Sequence, residues 1–323
     1  MTVAIVGAGA IGGLLGAHLS RAGEDVILIA RGANLAALKT NGLTVRQKKE
    51  EFQEEFTVHP RATDDISAVG EADAVFITLK AHSIPAVAPR IGEALRPDAS
   101  VVGAMNGIPW WYFPDRHLEA VDPGGVITRS IPIEHVVGCV VYPAASLVDP
   151  GVVVHEEGDR FSLGEPDGSK SDRVQRLSAM LGAAGFRAPV QTRLRNEIWL
   201  KVAGNATLNP VSVVTGATLG EMFASEESRG LIRTLMEEVA AVARSLEVEL
   251  PVSIEKRMAG AAAVATHKTS MLQDFEARKP LELDALLGAV IEIAGWEKVE
   301  VPSLRALYGL AKLAESVAMR PVD

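Results

Sequence analysis

Cysteine is nearly absent from this chain: Cys139 is the only one among 323 residues. One thiol closes no internal disulfide, so the fold must be held by its core, and the usage suits a reducing compartment. Positive charge is also short, with 32 Lys and Arg against 41 Asp and Glu for a net charge of -9. A surface of that sign repels nucleic acid and anionic membranes, and any anion it binds must meet a local cluster of cations. The seven histidines are scattered without a zinc-ligand spacing, so no metal centre is expected. No apolar run approaches the roughly 18 residues of a membrane span. The N-terminal MTVAIVGAGAIGG lacks the basic region and cleavage site of a signal peptide, which places the protein in the cytoplasm by expectation. Aromatic residues make up only 5% of the chain, yet Trp110, Trp111, Tyr112 and Phe113 are consecutive.

What is plentiful is apolar surface. With 48% hydrophobic residues the chain can bury a sizeable core, as two domains or one large one. The first third alternates short β-branched runs with helical patterns, as a parallel sheet with crossover helices does. The strand candidates are Val3 to Val6, Val26 to Ile29, Ala74 to Thr78 and Ser100 to Ala104. Between the second and third, GLTVRQKKEEFQEEFTVHPRAT reads as an antiparallel excursion at the sheet edge around a solvated charged turn. From Val137 to Leu163 a strand-like pattern punctuated by Pro and Gly extends the sheet, followed by a helix and the short strand APVQT. After Arg193 amphipathic segments such as Leu231 to Leu246 and Leu281 to Ala294 dominate. The expected fold is therefore α/β: a Rossmann-type dinucleotide-binding domain over residues 1–192, then an all-helical domain over residues 193–323. The long apolar helices serve either as the core of that second domain or as a homodimer interface.

Gly7, Gly9 and Gly12 stand in GxGxxG spacing between an apolar strand and a helical pattern. The three glycines allow, in turn, a tight bend, close backbone approach to a pyrophosphate, and close packing of helix on strand. Alone the motif also fits a turn with no ligand. The order strand, turn, helix favours nucleotide contacts along Gly7, Ala8, Gly9, Ala10, Ile11 and Gly12, where helix amides and dipole meet phosphate. The second strand, DVILIARG, ends in Ala30 and Arg31 where an NAD-binding chain usually carries Asp or Glu. A guanidinium there suits a 2'-phosphate, and Lys80 at the end of AVFITLK supplies a second cation; otherwise both are solvated surface charges. NADP is the expected cofactor.

In KVAGNATLNP, Lys201, Asn205 and Asn209 recur every four residues, so a helix gathers them within about 80° of arc. A polar stripe usually faces water, but the flanking IWL and PVSVV are apolar and point to a cleft instead. Pro210 is expected to break the helix.

Taken in order, GAGAIGG, LIARG, TLKAHS, NGI at Asn106, KVAGNATLNP and SMLQDFEARKPLELD resemble the ketopantoate reductase family, also called 2-dehydropantoate 2-reductase, over residues 3 to about 285. The resemblance implies a Rossmann domain, a helical domain and an active site in the cleft between them. It implies NADPH-dependent reduction of a small 2-oxo acid, 2-dehydropantoate, to (R)-pantoate on the route to coenzyme A. By the same resemblance Lys201 is the catalytic lysine, Asn205 and Asn209 contact substrate, and Asn106 lies near the nicotinamide and substrate. Ser270 binds the substrate carboxylate and Glu282 holds its hydroxyl. Without it, Ser270 reads as a helix cap, Asn106 with Gly107 as a turn, and Glu282 as a solvated acid beside Glu276 and Asp284.

The chain departs from the family at Ser83 and Met105, where relatives often carry glutamine, and in the run from Trp110 to Phe113. Those aromatics line a pocket for a larger 2-oxo acid, or belong to the core or an interface. The alternatives are thus reduction of another branched or aromatic 2-oxo acid, and a non-catalytic NADP-binding sensor.

Overall fold

The computed structural model describes residues 1–48 and 53–320. They form two compact units. The first comprises residues 1–105, 111–114 and 125–194, and the second comprises residues 106–110, 115–124 and those from 195 onward. Short pieces on either side of Trp111 therefore cross from one unit to the other, which no composition shift announces.

The first unit begins with strand β1 (Thr2–Val6), helix α1 (Ala10–Arg21), β2 (Asp25–Ile29) and α2 (Gly32–Asn41). It continues through β3 (Leu43–Lys48), β4 (Gln53–Val58), β5 (Arg61–Thr63), β6 (Ala74–Ile77), α3 (Ala88–Ala94), β7 (Ser100–Gly103) and α4 (Val126–Ser130). It ends with β8 (Val136–Val141), β9 (Ala144–Asp149), β10 (Val152–Glu157), β11 (Phe161–Gly164) and α5 (Asp172–Ala183). A seven-stranded sheet runs β11-β8-β7-β6-β1-β2-β5, parallel except for the antiparallel pair of β8 and β11. β1 is an interior strand, with Ile5 in register with Leu28 on one side and Phe76 on the other. Its residues from Val3 to Ile5 are fully buried, as a strand covered on both faces must be.

The segment expected as an edge excursion does something else. β3 and β4 pair antiparallel, but with β9 and β10 they build a separate four-stranded sheet, β4-β3-β10-β9. Helix α1 packs between the two sheets. A Cβ on Gly16 would come 2.7 Å from Leu28 of the large sheet, and one on Gly13 would come 2.7 Å from Val153 of the small one. Two further glycines, beyond the three of the phosphate signature, thus let this helix be covered on two sides. Of the run from Val137 to Leu163 only β8 and β11 extend the large sheet, and APVQT forms only isolated bridges such as Leu163 with Val190. The charged centre of the β3–β4 connection, residues 49–52, lies outside the described residues.

The second unit is helical: α6 (Leu194–Thr215), α7 (Leu219–Met222), α8 (Glu226–Ser245), α9 (Ile254–Ala262), α10 (Ser270–Glu276), α11 (Ala289–Glu297) and α12 (Pro302–Ala318). A π-helical turn, Asp284–Gly288, leads into α11. Ile232, Leu235, Met236 and Val239 of α8 are fully buried and form core, whereas Leu310, Leu313 and Val317 of α12 are exposed. Pro210 does not break α6, which runs on to Thr215. The ring removes one backbone donor, and in the adjacent turns the Thr207 and Ser212 hydroxyls add bonds within the helix, donating to the Ala203 and Asn209 carbonyls at 2.7 and 2.6 Å.

Three of the four residues of the aromatic run are buried. Trp110, Trp111 and Tyr112 are 2, 4 and 4% exposed, and the Trp111 ring lies against Gly138, where a Cβ would meet it at 2.6 Å. Phe113, the last residue of the run, is half-buried.

Candidate functional site

The glycine turn is assembled by the end of β1. Gly7 has φ +106°, a conformation strained for any side chain, and its amide donates to the Ile29 carbonyl at 3.0 Å. Gly12 sits where a Cβ would be 2.2 Å from the Gly7 carbonyl oxygen and 2.4 Å from the Thr78 Oγ1. That hydroxyl in turn donates to the Gly7 carbonyl at 2.7 Å. Gly9, the N-cap of α1, faces open space on the side a Cβ would occupy. The first glycine is required by its backbone, the third by packing, and the second leaves a cradle that a side chain would fill. These are the conditions under which amides at a helix start reach a pyrophosphate, so the residues present fit a dinucleotide.

A cavity of about 230 Å³ opens from this turn. Val6, Gly7, Ala8 and Gly9 line one end, Ile29, Ala30, Ile66, Leu79 and Val87 give apolar walls, and Arg31, Asp64 and Arg90 reach in from the rim. Arg31 lines the cavity, as the sequence predicts for a cofactor residue. Lys80 does not; it is half-buried at the start of the 3-10 turn Ala81–Ser83. Ala10, Ile11 and Gly12 lie behind the lining as the first turn of α1.

Asn34 escaped the sequence reading. Its Nδ2 donates to the Ala8 carbonyl at 2.7 Å, and its Oδ1 accepts from the Gly151 amide at 2.8 Å. One amide thus fastens the phosphate turn to the β9–β10 connection. An asparagine inside a helix gives no sign of that, since both partners are distant in sequence.

The polar residues implied for substrate all belong to the second unit. On α6, Asn209 is 6% exposed, and its side-chain amide makes no hydrogen bond among the described residues. Lys201 and Asn205 are half-buried on the same helix. The Asn209 carbonyl accepts from the Ser212 Oγ, which is 2.6 Å from the Thr269 Oγ1, itself an acceptor from the Leu272 amide at 3.2 Å. This relay holds the start of α10 against the C-terminal turns of α6. Thr269, not Ser270, is the cap of α10; Ser270 is the first helical residue and is exposed.

A second set of contacts secures Asn106. Gly107 has φ +90° and leaves no room for a Cβ, which would be 2.3 Å from the Ala285 carbonyl oxygen, and the Ile108 amide donates to that oxygen at 3.3 Å. The loop carrying Asn106 is therefore pinned to the π-turn that follows Glu282. The neighbouring acids separate by environment. Glu276 pairs with Lys268 at 2.6 Å, and Asp284 takes Lys312 at 2.8 Å and the Tyr308 hydroxyl at 2.5 Å. The Tyr308 hydroxyl is pushed well above its ordinary range by burial and by this bond. Glu282, half-buried, belongs to neither arrangement. Arg257 of α9 was also missed. A Cβ on Gly204 would be 2.1 Å from its guanidinium, so the arginine lies flat on α6 within the span that carries Lys201 and Asn205.

Known proteins resemble the chain over nearly its whole length. Residues 3–168 match the family described as Ketopantoate reductase PanE/ApbA, and residues 193–315 match its C-terminal counterpart. A 2-dehydropantoate 2-reductase of Mesorhizobium japonicum is 43% identical over 320 residues, 97% of each chain. The crystal structure of a PanE/ApbA family ketopantoate reductase from Ralstonia eutropha JMP134 superposes with a TM-score of 0.86 at 29% identity, covering 99% of this chain and 100% of that one. A ternary structure of D-mandelate dehydrogenase with NADH and anilino(oxo)acetate shares the fold, with a TM-score of 0.85 at 22% identity over 98% of this chain and 99% of that one. With two family matches spanning most of its length and a relative of such identity, the chain belongs to the ketopantoate reductase family.

Proposed function

We propose that this enzyme reduces 2-dehydropantoate to (R)-pantoate with NADPH, residues 1–192 supplying most of the cofactor site and residues 193–323 the catalytic groups, in the cytoplasm on the route to coenzyme A. The observation that carries the chemistry is the α6 stripe: the Asn209 side chain, 6% exposed and without a hydrogen bond among the described residues, on the helix that also carries Lys201 and Asn205. An amide with two donors and an acceptor to offer is suited to binding a polar ligand.

A reduced nicotinamide supplies the hydride when bound. Hydride delivery to a ketone builds negative charge on its oxygen, and Lys201, as an ammonium, stabilises that charge through a hydrogen bond and gives up the proton that completes the alcohol. Asn205 and Asn209 donate to substrate oxygens while remaining neutral. Ser270 takes the carboxylate, Glu282 accepts from the hydroxyl, and Asn106 positions the substrate beside the nicotinamide. Arg31 at the end of β2, with no acid in its place on that strand, supports NADPH over NADH.

The test is cofactor oxidation assayed with 2-dehydropantoate against branched and aromatic 2-oxo acids, each with NADPH and NADH. The highest kcat/KM is expected for 2-dehydropantoate with NADPH. A higher value for another 2-oxo acid replaces the substrate, and cofactor binding without turnover of any of them leaves an NADP-binding sensor.

A further inference from the structure

The rim of the nucleotide cavity poses a problem of charge. Arg31 is its expected cation, but Asp64 lines the same cavity, and the pair cancels. A 2'-phosphate arriving at a rim with one guanidinium and one carboxylate meets no net attraction, and exposed charges are individually worth little. Arg90, from α3, lines the cavity as well and brings a second guanidinium to it.

Arg90 is also little engaged elsewhere. Its ion pair is with Asp65 at 4.0 Å, the two side chains being 61% and 62% exposed. The Asp65 carboxylate already serves as the cap of the turn Ile66–Glu71, accepting from the Ser67 amide at 3.0 Å and the Ser67 hydroxyl at 2.7 Å. A long, solvated contact to a carboxylate that has better partners holds an arginine weakly. The Arg31 side chain makes no hydrogen bond or ion pair among the described residues. Two guanidinium groups therefore converge on one cavity in a chain of net charge -9, with neither firmly spent on the protein itself.

We propose that Arg90 is a specificity-determining residue of the cofactor site, which together with Arg31 holds the 2'-phosphate of the dinucleotide against the opposing carboxylate of Asp64. The inference rests on the NADPH reading above and adds a residue from a different helix to it. Guanidinium forks match phosphate oxygens in pairs, so two of them bind three terminal oxygens better than one can. The apolar walls from Ile66 and Val87, between the two arginines in sequence, suit the adenine ring.

Adenosine 2',5'-bisphosphate and 5'-AMP differ only in the 2'-phosphate, so calorimetric titration of the full chain with both isolates the contact from catalysis. The unaltered protein is expected to bind the bisphosphate at least about tenfold more tightly. Arg90→Gln is expected to lower that ratio by about tenfold while leaving 5'-AMP within about twofold, with Arg90→Lys intermediate and Asp64→Asn raising the ratio. A ratio unchanged in Arg90→Gln but lost in Arg31→Gln overturns the role of Arg90 and leaves NADPH preference intact. An equal loss for both ligands means that Arg90 supports the adenine or the fold, and also overturns it. If the unaltered protein fails to distinguish the ligands, the NADPH reading fails and this inference with it.

Discussion

The glycine turn of the first unit and the polar stripe of the second solve opposite problems. At the turn, side chains are removed so that backbone can approach: Gly12 has about 2 Å where a Cβ would need nearly twice that, and Gly9 leaves an open cradle. On α6, polar side chains are retained on a largely buried helix, and Asn209 is held at 6% exposure with no side-chain hydrogen bond among the described residues. One site is made of backbone donors whose chemistry every residue shares. The other is made of particular functional groups with particular protonation states. The difference teaches that cofactor affinity and turnover should be separable by mutation.

The largest effect is expected at Lys201. Lys201→Ala should lower kcat by about 10² to 10⁴, the contribution typical of a positioned general acid, while dinucleotide affinity measured by fluorescence titration stays within about twofold. A comparable loss of affinity would break the division between the two regions. Gly12→Ala should do the reverse. Its Cβ would meet the Gly7 carbonyl at 2.2 Å and the Thr78 hydroxyl at 2.4 Å, so the turn must shift. Dinucleotide affinity is expected to fall about tenfold or more, with a stability loss of about 1–3 kcal/mol in urea unfolding. Normal affinity in that variant would mean that the turn tolerates displacement.

The smallest effect sharpens the role of α1 as a helix covered on both sides. His18 on that helix is 8% exposed, donates from Nδ1 to the Ala184 carbonyl at 3.2 Å, and accepts at Nε2 from Gln47 at 3.0 Å. Burial lowers its pKa from 6.5 to about 4, outweighing the carbonyl contact that favours protonation. Between those values the unfolded chain takes up a proton that the folded chain resists, so stability falls as the pH drops from 6.5 towards 4. The loss is on the order of 2 kcal/mol, and His18→Gln should remove it, read as a flatter dependence of the urea midpoint on pH. An equally steep dependence in the variant would assign acid sensitivity to other groups.

The parallel core strands were legible because their apolar runs and turn residues are local signals, and α6 because its flanks are apolar. The second sheet was not. Alternation in β3 and β4 announces strands without saying whether they pair with β2 or with β9 and β10, and long-range pairing has no signature within either strand. Pro210 misled for a related reason: its cost is local, whereas α6 is also tied outside itself, through the Ser212 Oγ to the Thr269 Oγ1 at 2.6 Å, and runs on to Thr215. The capping of α10 by Thr269 depends on one residue of offset, finer than a pattern of spacing resolves.

By itself, then, the sequence determined the nucleotide turn, its place between strand and helix, and the repeat of Lys201, Asn205 and Asn209, because each follows from local geometry and residue chemistry. Only the tertiary structure decided that Asn34 braces the turn through Gly151, that Arg90 joins Arg31 at one rim, and that Gly107 fastens Asn106 beside the turn after Glu282. Those contacts join residues whose separation along the chain bears no relation to their distance in space, so burial and packing of the whole unit, not any short segment, fix them.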